Sequence, residues 1–91
     1  MTVSPTHPST PATVTVRYFA GARAVSGVDT ETRDAVSLDQ LVGQIVDAHG
    51  ERMARVLTAC SFLVDGTQTR NRALELTPGV VVDVLPPFAG G

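Results

Sequence analysis

Lysine is absent from this chain, cysteine occurs once, and no apolar stretch approaches the length of a membrane span. Each absence removes a class of function. All positive charge rests on Arg17, Arg23, Arg33, Arg52, Arg55, Arg70 and Arg72, and the formal net charge is −2. With a pI near 5.5 there is no basic stripe to track phosphates, and the closeness of Arg17 to Arg23 does not make one, which argues against a nucleic-acid partner. A lone Cys60 allows neither an intramolecular disulfide nor a Cys-based metal site. At the entry to a strand it reads as a buried, inert thiol. His7 falls in a loose N-terminal stretch and His49 at a helix end, so no imidazole pair presents a metal site. No nucleophile motif surrounds any serine, and neither a phosphate loop nor a dinucleotide fingerprint occurs. The longest apolar run, Val80 to Val82, falls far below the roughly 20 residues that cross a bilayer. No apolar signal core precedes Arg17, the first basic residue. The expectation is a soluble, cytoplasmic protein that binds no cofactor or metal and has no enzyme site of its own.

What is present fits a single small domain of 91 residues, 43% hydrophobic and 18% charged, enough apolar mass for a modest core. Residues 1–12, rich in Pro, Ser and Thr, predict a flexible N-terminal arm. Thr13–Phe19 predicts a strand with Val14, Val16 and Tyr18 on one face. Ala20–Val28 reads as a turn or short irregular helix closed by Gly27, and Thr30–Ala35 as a polar edge strand. The main helix runs Ser37–His49. Ser37 and Gln40 have the form of a capping box, Leu38, Leu41, Val42, Ile45 and Val46 make one apolar stripe, and Gly50 supplies a left-handed stop. Glu51–Leu57 reads as a further helical turn with Met53 and Val56 inward. Ser61–Val64 is a strand ended by the Asp65-Gly66 turn, and Thr67–Leu76 a connection with a short strand. Thr77-Pro78-Gly79 is a turn. Val80–Leu85 is the last strand, apolar on both faces apart from Asp83 and therefore central. The fold class is α+β, a mixed sheet of four to five strands on one main helix, with the domain proper at 13–85 and a tail at 86–91.

The tail is where chemistry is expected. Pro86 and Pro87 end the strand ladder, Phe88 offers an apolar anchor, and Ala89, Gly90 and Gly91 follow. Six extended residues reach about 20 Å, and two glycines let the backbone thread a narrow channel. The terminal carboxyl of Gly91, with a reference pKa near 3.3–3.7, is an inert anion at neutral pH. Transfer of an adenylyl group from ATP would make it a mixed anhydride. Sulfide or a persulfide could then displace AMP and leave a C-terminal thiocarboxylate. A terminal Gly-Gly by itself is a weak signal. Gly-Gly directly after Pro-Pro-Phe at the exit of the best strand is far more specific.

The motifs VRYFAGAR (16–23) and PGVVVDVLPPFAGG (78–91), with the helix from Ser37 between them, resemble the β-grasp sulfur carriers, in particular the small subunits of molybdopterin synthase (MoaD-like). The resemblance runs from about Thr13 to Gly91 and implies a ubiquitin-like β-grasp fold with the first and last strands adjacent and parallel. It implies that Gly91 is adenylated by an E1-like adenylyltransferase that uses ATP, then thiocarboxylated from a sulfide or persulfide donor. Gly90 is its partner in the threading dipeptide. Pro86, Pro87, Phe88 and Ala89 match the tail that enters the large synthase subunit, where sulfur passes to a pterin precursor. Phe19 matches an aromatic of the partner-facing surface, with ordinary core packing nearly as good an account. Arg23 reads better as a solvated charge. The turn Pro78-Gly79-Val80-Val81 departs from the acidic turn common in such proteins, and the N-terminal arm has no counterpart there.

Other functions use the same terminus. A ubiquitin-like modifier would join Gly91 to lysines of other proteins, although a chain without lysine cannot be extended on its own side chains. A carrier could instead supply sulfur for thiazole, cysteine or a tRNA base. A plain binding module would lose nothing when Gly91 is trimmed.

Overall fold

The computed structural model describes residues 11–87. The expected arm therefore lies largely outside the described residues, as do Phe88, Ala89, Gly90 and Gly91. Five strands and three helices follow in the order β1 (Ala12–Tyr18), α1 (Ala20–Ser26), β2 (Thr30–Ala35), α2 (Leu38–His49), α3 (Glu51–Ala59), β3 (Ser61–Val64), β4 (Thr67–Thr69) and β5 (Val81–Leu85). The sheet order is β2-β1-β5-β3-β4. β1 and β5 are parallel and adjacent, while the β1–β2, β3–β5 and β3–β4 pairs are antiparallel. This is the β-grasp arrangement, with β5 between β1 and β3 as its apolar composition predicts.

Period-two alternation decides which side chains meet the helices. Val14, Val16 and Tyr18 of β1, Phe62 of β3, and Val82 and Val84 of β5 are buried. They pack with Leu38, Leu41 and Ile45 of α2 and Met53 and Leu57 of α3 in one core. Each such side chain contributes about 1.5–3 kcal/mol on full burial, which is how a chain this short sustains a fold.

The helix starts and turns follow local chemistry. The Ser37 hydroxyl accepts from the Gln40 amide at 3.2 Å, and Gln40 Oε1 accepts from the Val36 amide at 2.7 Å. The reach of Gln40 is one residue further back than an ideal capping box, with the same result for the orphan donors. The Asp65-Gly66 hairpin has positive φ at both residues (50° and 85°), as a type I′ turn requires. Asp65 also accepts from the Val81 amide through Oδ1 at 2.8 Å, tying the β3–β4 turn to β5. At Thr77-Pro78-Gly79, proline precedes a glycine at φ 86°, and the Val80 amide closes the turn on the Thr77 carbonyl at 3.3 Å.

Three expectations need correction. α2 is the main helix, as expected, but its two companions are more regular than expected: α1 is a seven-residue helix and α3 runs nine residues to Ala59. Gly50 does not stop the helical region in a left-handed cap. Its φ of 88° and ψ of −170° redirect the chain into α3, whose Met53 and Leu57 are buried and Val56 partly so. Lastly, β1 begins at Ala12 and ends at Tyr18, and β5 begins at Val81, so Phe19 and Val80 flank strands rather than belonging to them.

Candidate functional site

The helices cover one face of the sheet. On the other face, alternation places Thr13, Thr15 and Arg17 of β1, Thr30, Thr32 and Asp34 of β2, Val81, Asp83 and Leu85 of β5, Ser61 and Leu63 of β3, and Gln68 of β4. No helix or strand among the described residues packs over them. Val81, Leu63 and Leu85 are half-buried there, a mixed surface rather than an apolar patch.

The end of β5 is the root of the tail. Leu85 pairs with Ser61, and Pro86 (half-buried) and Pro87 (exposed) follow it directly. Neither proline can donate an amide hydrogen, so the ladder ends where the composition predicts. Because β1 and β5 run parallel with Tyr18 opposite Val84, the next residues, Phe19 and Leu85, come to the same end of the sheet. Phe19 is half-buried and in extended conformation. Its amide donates to the Val84 carbonyl at 3.3 Å, and its carbonyl accepts from the Ala22 amide at 3.0 Å. The structure thus brings Phe19, Pro86 and Pro87 to one end of the sheet, and that end leads into the residues beyond 87.

A charged pair lies at the centre of the same face. Arg17 donates from Nε to Asp83 Oδ1 at 2.5 Å and from Nη2 to Oδ2 at 2.8 Å, a bidentate geometry. The carboxylate raises the guanidinium's already high pKa, first through the hydrogen bond and then through its charge, so Arg17 is a permanent cation. The Phe19 ring centroid is 5.9 Å from the guanidinium carbon. Sequence reading missed this pair. The available signal was parity: Arg17 and Asp83 each interrupt the apolar alternation on the same side of two strands that lie next to each other.

Other reactive groups are accounted for by the fold. The Cys60 thiol donates to the Val56 carbonyl at 3.2 Å, and burial pushes its pKa up to about 11, so it is protonated and unreactive at neutral pH. Arg23 pairs with Asp29 at 2.9 Å on the surface, as a solvated charge would. His49 lies 2.8 Å from Glu31, which also accepts from the Tyr18 hydroxyl and pairs with Arg33 at 3.2 Å. Burial alone would raise the Glu31 pKa, but the hydrogen bonds from Tyr18 and His49 and the charge of Arg33 outweigh it and hold the carboxyl low. This network seals the joint between α2 and the edge of the sheet. An open depression of about 360 Å³ borders Cys60, Ser61, Phe62, Gln68, Arg70 and Arg72. Its Arg72 lies over the Phe62 ring at 5.2 Å and 4.0 Å from Asp39. Among the described residues no three His, Cys, Asp or Glu side chains are grouped to hold a metal ion, and no helix is long and apolar enough to cross a membrane.

Comparison with known proteins agrees with this geometry. A molybdopterin synthase sulfur carrier subunit of Chlamydomonas reinhardtii is 33% identical over 82 residues, which cover 86% of this chain and 98% of that protein. Among solved structures, one described as molybdopterin converting factor, subunit 1, from Pyrococcus furiosus superposes with a TM-score of 0.76 at 28% identity, covering 84% of this chain and 98% of the other. A complex of subunits 1 and 2 of molybdopterin-converting factor from Helicobacter pylori matches in fold, with a TM-score of 0.69 at 24% identity over 87% of this chain and 99% of the matched one. The profile of the ThiS family matches residues 16–91, from the first strand through both terminal glycines, and the chain belongs to the ThiS family.

Proposed function

We propose that the chain is the sulfur-carrying small subunit of a molybdopterin synthase. The observation that carries this reading is the family match reaching residue 91, on a chain whose central strand continues directly into the tail. The chain carries the reacting group and its partners supply the catalysis. An E1-like adenylyltransferase joins AMP from ATP to the Gly91 carboxylate and releases pyrophosphate. Sulfide then attacks the acyl carbon, AMP leaves, and the terminus becomes a thiocarboxylate. If the donor is a persulfide, the first product is an acyl disulfide, and a thiol must supply two electrons to free the thiocarboxylate. ATP is bound by the activating enzyme, and this chain needs no cofactor of its own.

Pro86 and Pro87 aim the segment away from the sheet, Phe88 and Ala89 anchor it, and Gly90 and Gly91 thread the partner's channel. The large synthase subunit receives the tail, in keeping with the complex of subunits 1 and 2 from Helicobacter pylori. Phe19 belongs to the docking surface, since it lies half-buried at the tail root. Cytoplasmic action fits a pathway that consumes ATP.

Intact mass measurement after incubation with ATP, an activating enzyme and sulfide tests this reading. The expected result is a mass gain equal to exchange of one oxygen for sulfur, localised to Gly91. No gain, with an activating enzyme that works on another carrier, would overturn it.

A further inference from the structure

The Arg17–Asp83 pair is in an unusual place for a charged pair. β5 is the central strand, and Asp83 is the one polar residue in its core positions, 7% exposed. Burying a carboxylate costs desolvation, and a half-exposed partner repays it only in part, so stability alone does not explain the pair. The two partners differ in exposure: the Arg17 side chain is 49% accessible and that of Asp83 only 10%. The carboxylate sits behind and the guanidinium in front. Asp83 takes two of the five guanidinium N–H donors, and Nη1 makes no hydrogen bond among the described residues. Arg17 is therefore held by one edge, lies beside Phe19, and presents its other donors outward.

Among the described residues it is also the only cation at the register positions of the open face. Arg33 lies on the helix-covered side of β2, and the remaining arginines are on α1, α3 or the loop after β4. Asp34, at the far end of that face, is occupied by the Thr13 hydroxyl at 2.6 Å. Leu63 and Gln68 extend the row Arg17–Asp83 across the sheet, and Val81 and Leu85 flank Asp83 along β5. The result is one half-exposed guanidinium, its charge balanced by the carboxylate behind it, within a half-apolar surface next to the tail root.

We propose that Arg17, positioned by Asp83, is a specificity anchor that receives a carboxylate side chain of the large subunit when that subunit docks on the open face. This rests on the reading of the chain as a synthase small subunit. The complementary partner surface is apolar with one Asp or Glu at its centre. A wholly apolar partner would leave the guanidinium's outward donors dry and unpaired, so the pair also discriminates against carriers' partners that lack the acid.

The test is calorimetric binding of the full chain to the purified cognate large subunit, at low and high salt. The variants are Arg17→Leu/Asp83→Val, which removes the pair without orphaning either charge, and Arg17→Gln, which keeps a hydrogen bond to Asp83 and removes the cation. The expected result is affinity weakened about tenfold or more in both variants, with a flatter salt dependence than the wild type. Wild-type affinity and salt dependence in either folded variant would overturn the anchor and leave the carrier reading intact. Failure of the wild type itself to bind the large subunit would overturn the carrier reading and the anchor with it.

Discussion

The two faces of the sheet are built from the same five strands, yet they obey different rules. On the covered face every inward position of β1 and β5 is essentially sealed and apolar, the Tyr18 hydroxyl apart: Ala12, Val14, Val16, Tyr18, Val82 and Val84. On the open face the intervening positions of the same strands are Thr13, Thr15, Arg17, Val81, Asp83 and Leu85. Sharing a backbone, the two sets differ only in what they meet. The first set meets helices and specifies the fold. The second is covered by no helix or strand among the described residues and is free to specify a surface. The difference separates stability from function cleanly enough to predict that each can be damaged without the other.

The largest separation is expected at the tail. Deleting Gly91 should abolish thiocarboxylate formation and sulfur delivery and leave the melting temperature unchanged, because that residue lies beyond the last strand. A marked loss of thermal stability would break the comparison. The converse damage comes from the covered face. Ile45→Ala, at a fully buried position of α2, should cost about 2–5 kcal/mol in chemical denaturation while the folded fraction still accepts sulfur at Gly91. A smaller effect is expected where the surface meets the tail root. Phe19→Ala should weaken binding to the large subunit roughly tenfold, as truncation of an aromatic anchor does, with little change in stability. Unchanged affinity would return Phe19 to simple packing.

Stability should also depend on pH through the network at the edge of the covered face. The Glu31 carboxyl is held below its ordinary value when folded. It therefore contributes stability that is present above about pH 4.5 and lost as pH falls through the lower folded value. Tyr18 is shifted upward, first by burial and then by its hydrogen bond to Glu31. Its contribution is present below about pH 10 and drains away as pH rises further. Melting temperature against pH should fall at both limits, and Tyr18→Phe should remove the alkaline dependence belonging to that residue. The smallest effect is expected at Arg23. Its pair with Asp29 is exposed on both sides, so Arg23→Ala should change stability by less than about 1 kcal/mol in a melting curve.

Much of the covered face was legible in the sequence. Alternation in TVTVRYF and the apolar stripe of SLDQLVGQIVDAH locate β1 and α2, and Asp-Gly and Pro-Gly mark two turns with the φ values they need. The rest was obscured for physical reasons. AGARAVS has no apolar period because its one sealed side chain is Ala22, so a regular α1 looks irregular. ERMARVLTA carries its larger apolar residues at Met53, Val56 and Leu57 among four polar ones and two alanines, and a preceding glycine that redirects the chain reads locally like one that ends it. The Arg17–Asp83 pair spans 66 positions, and only the parallel register of β1 and β5 brings it together. The terminal Gly-Gly, by contrast, is a reading of composition and position alone; it lies outside the described residues, and its chemistry belongs to the proposed function.

The central claim is that the chain delivers sulfur from its terminus to a pterin through the large subunit. The most direct measurement is a single turnover of the Gly91 thiocarboxylate form with the large subunit and the pterin precursor, followed by intact mass. The account predicts that the carrier returns to the carboxylate mass as sulfur appears in the pterin in equal amount. A thiocarboxylate that persists under these conditions, with a large subunit that turns over with another carrier, would contradict it.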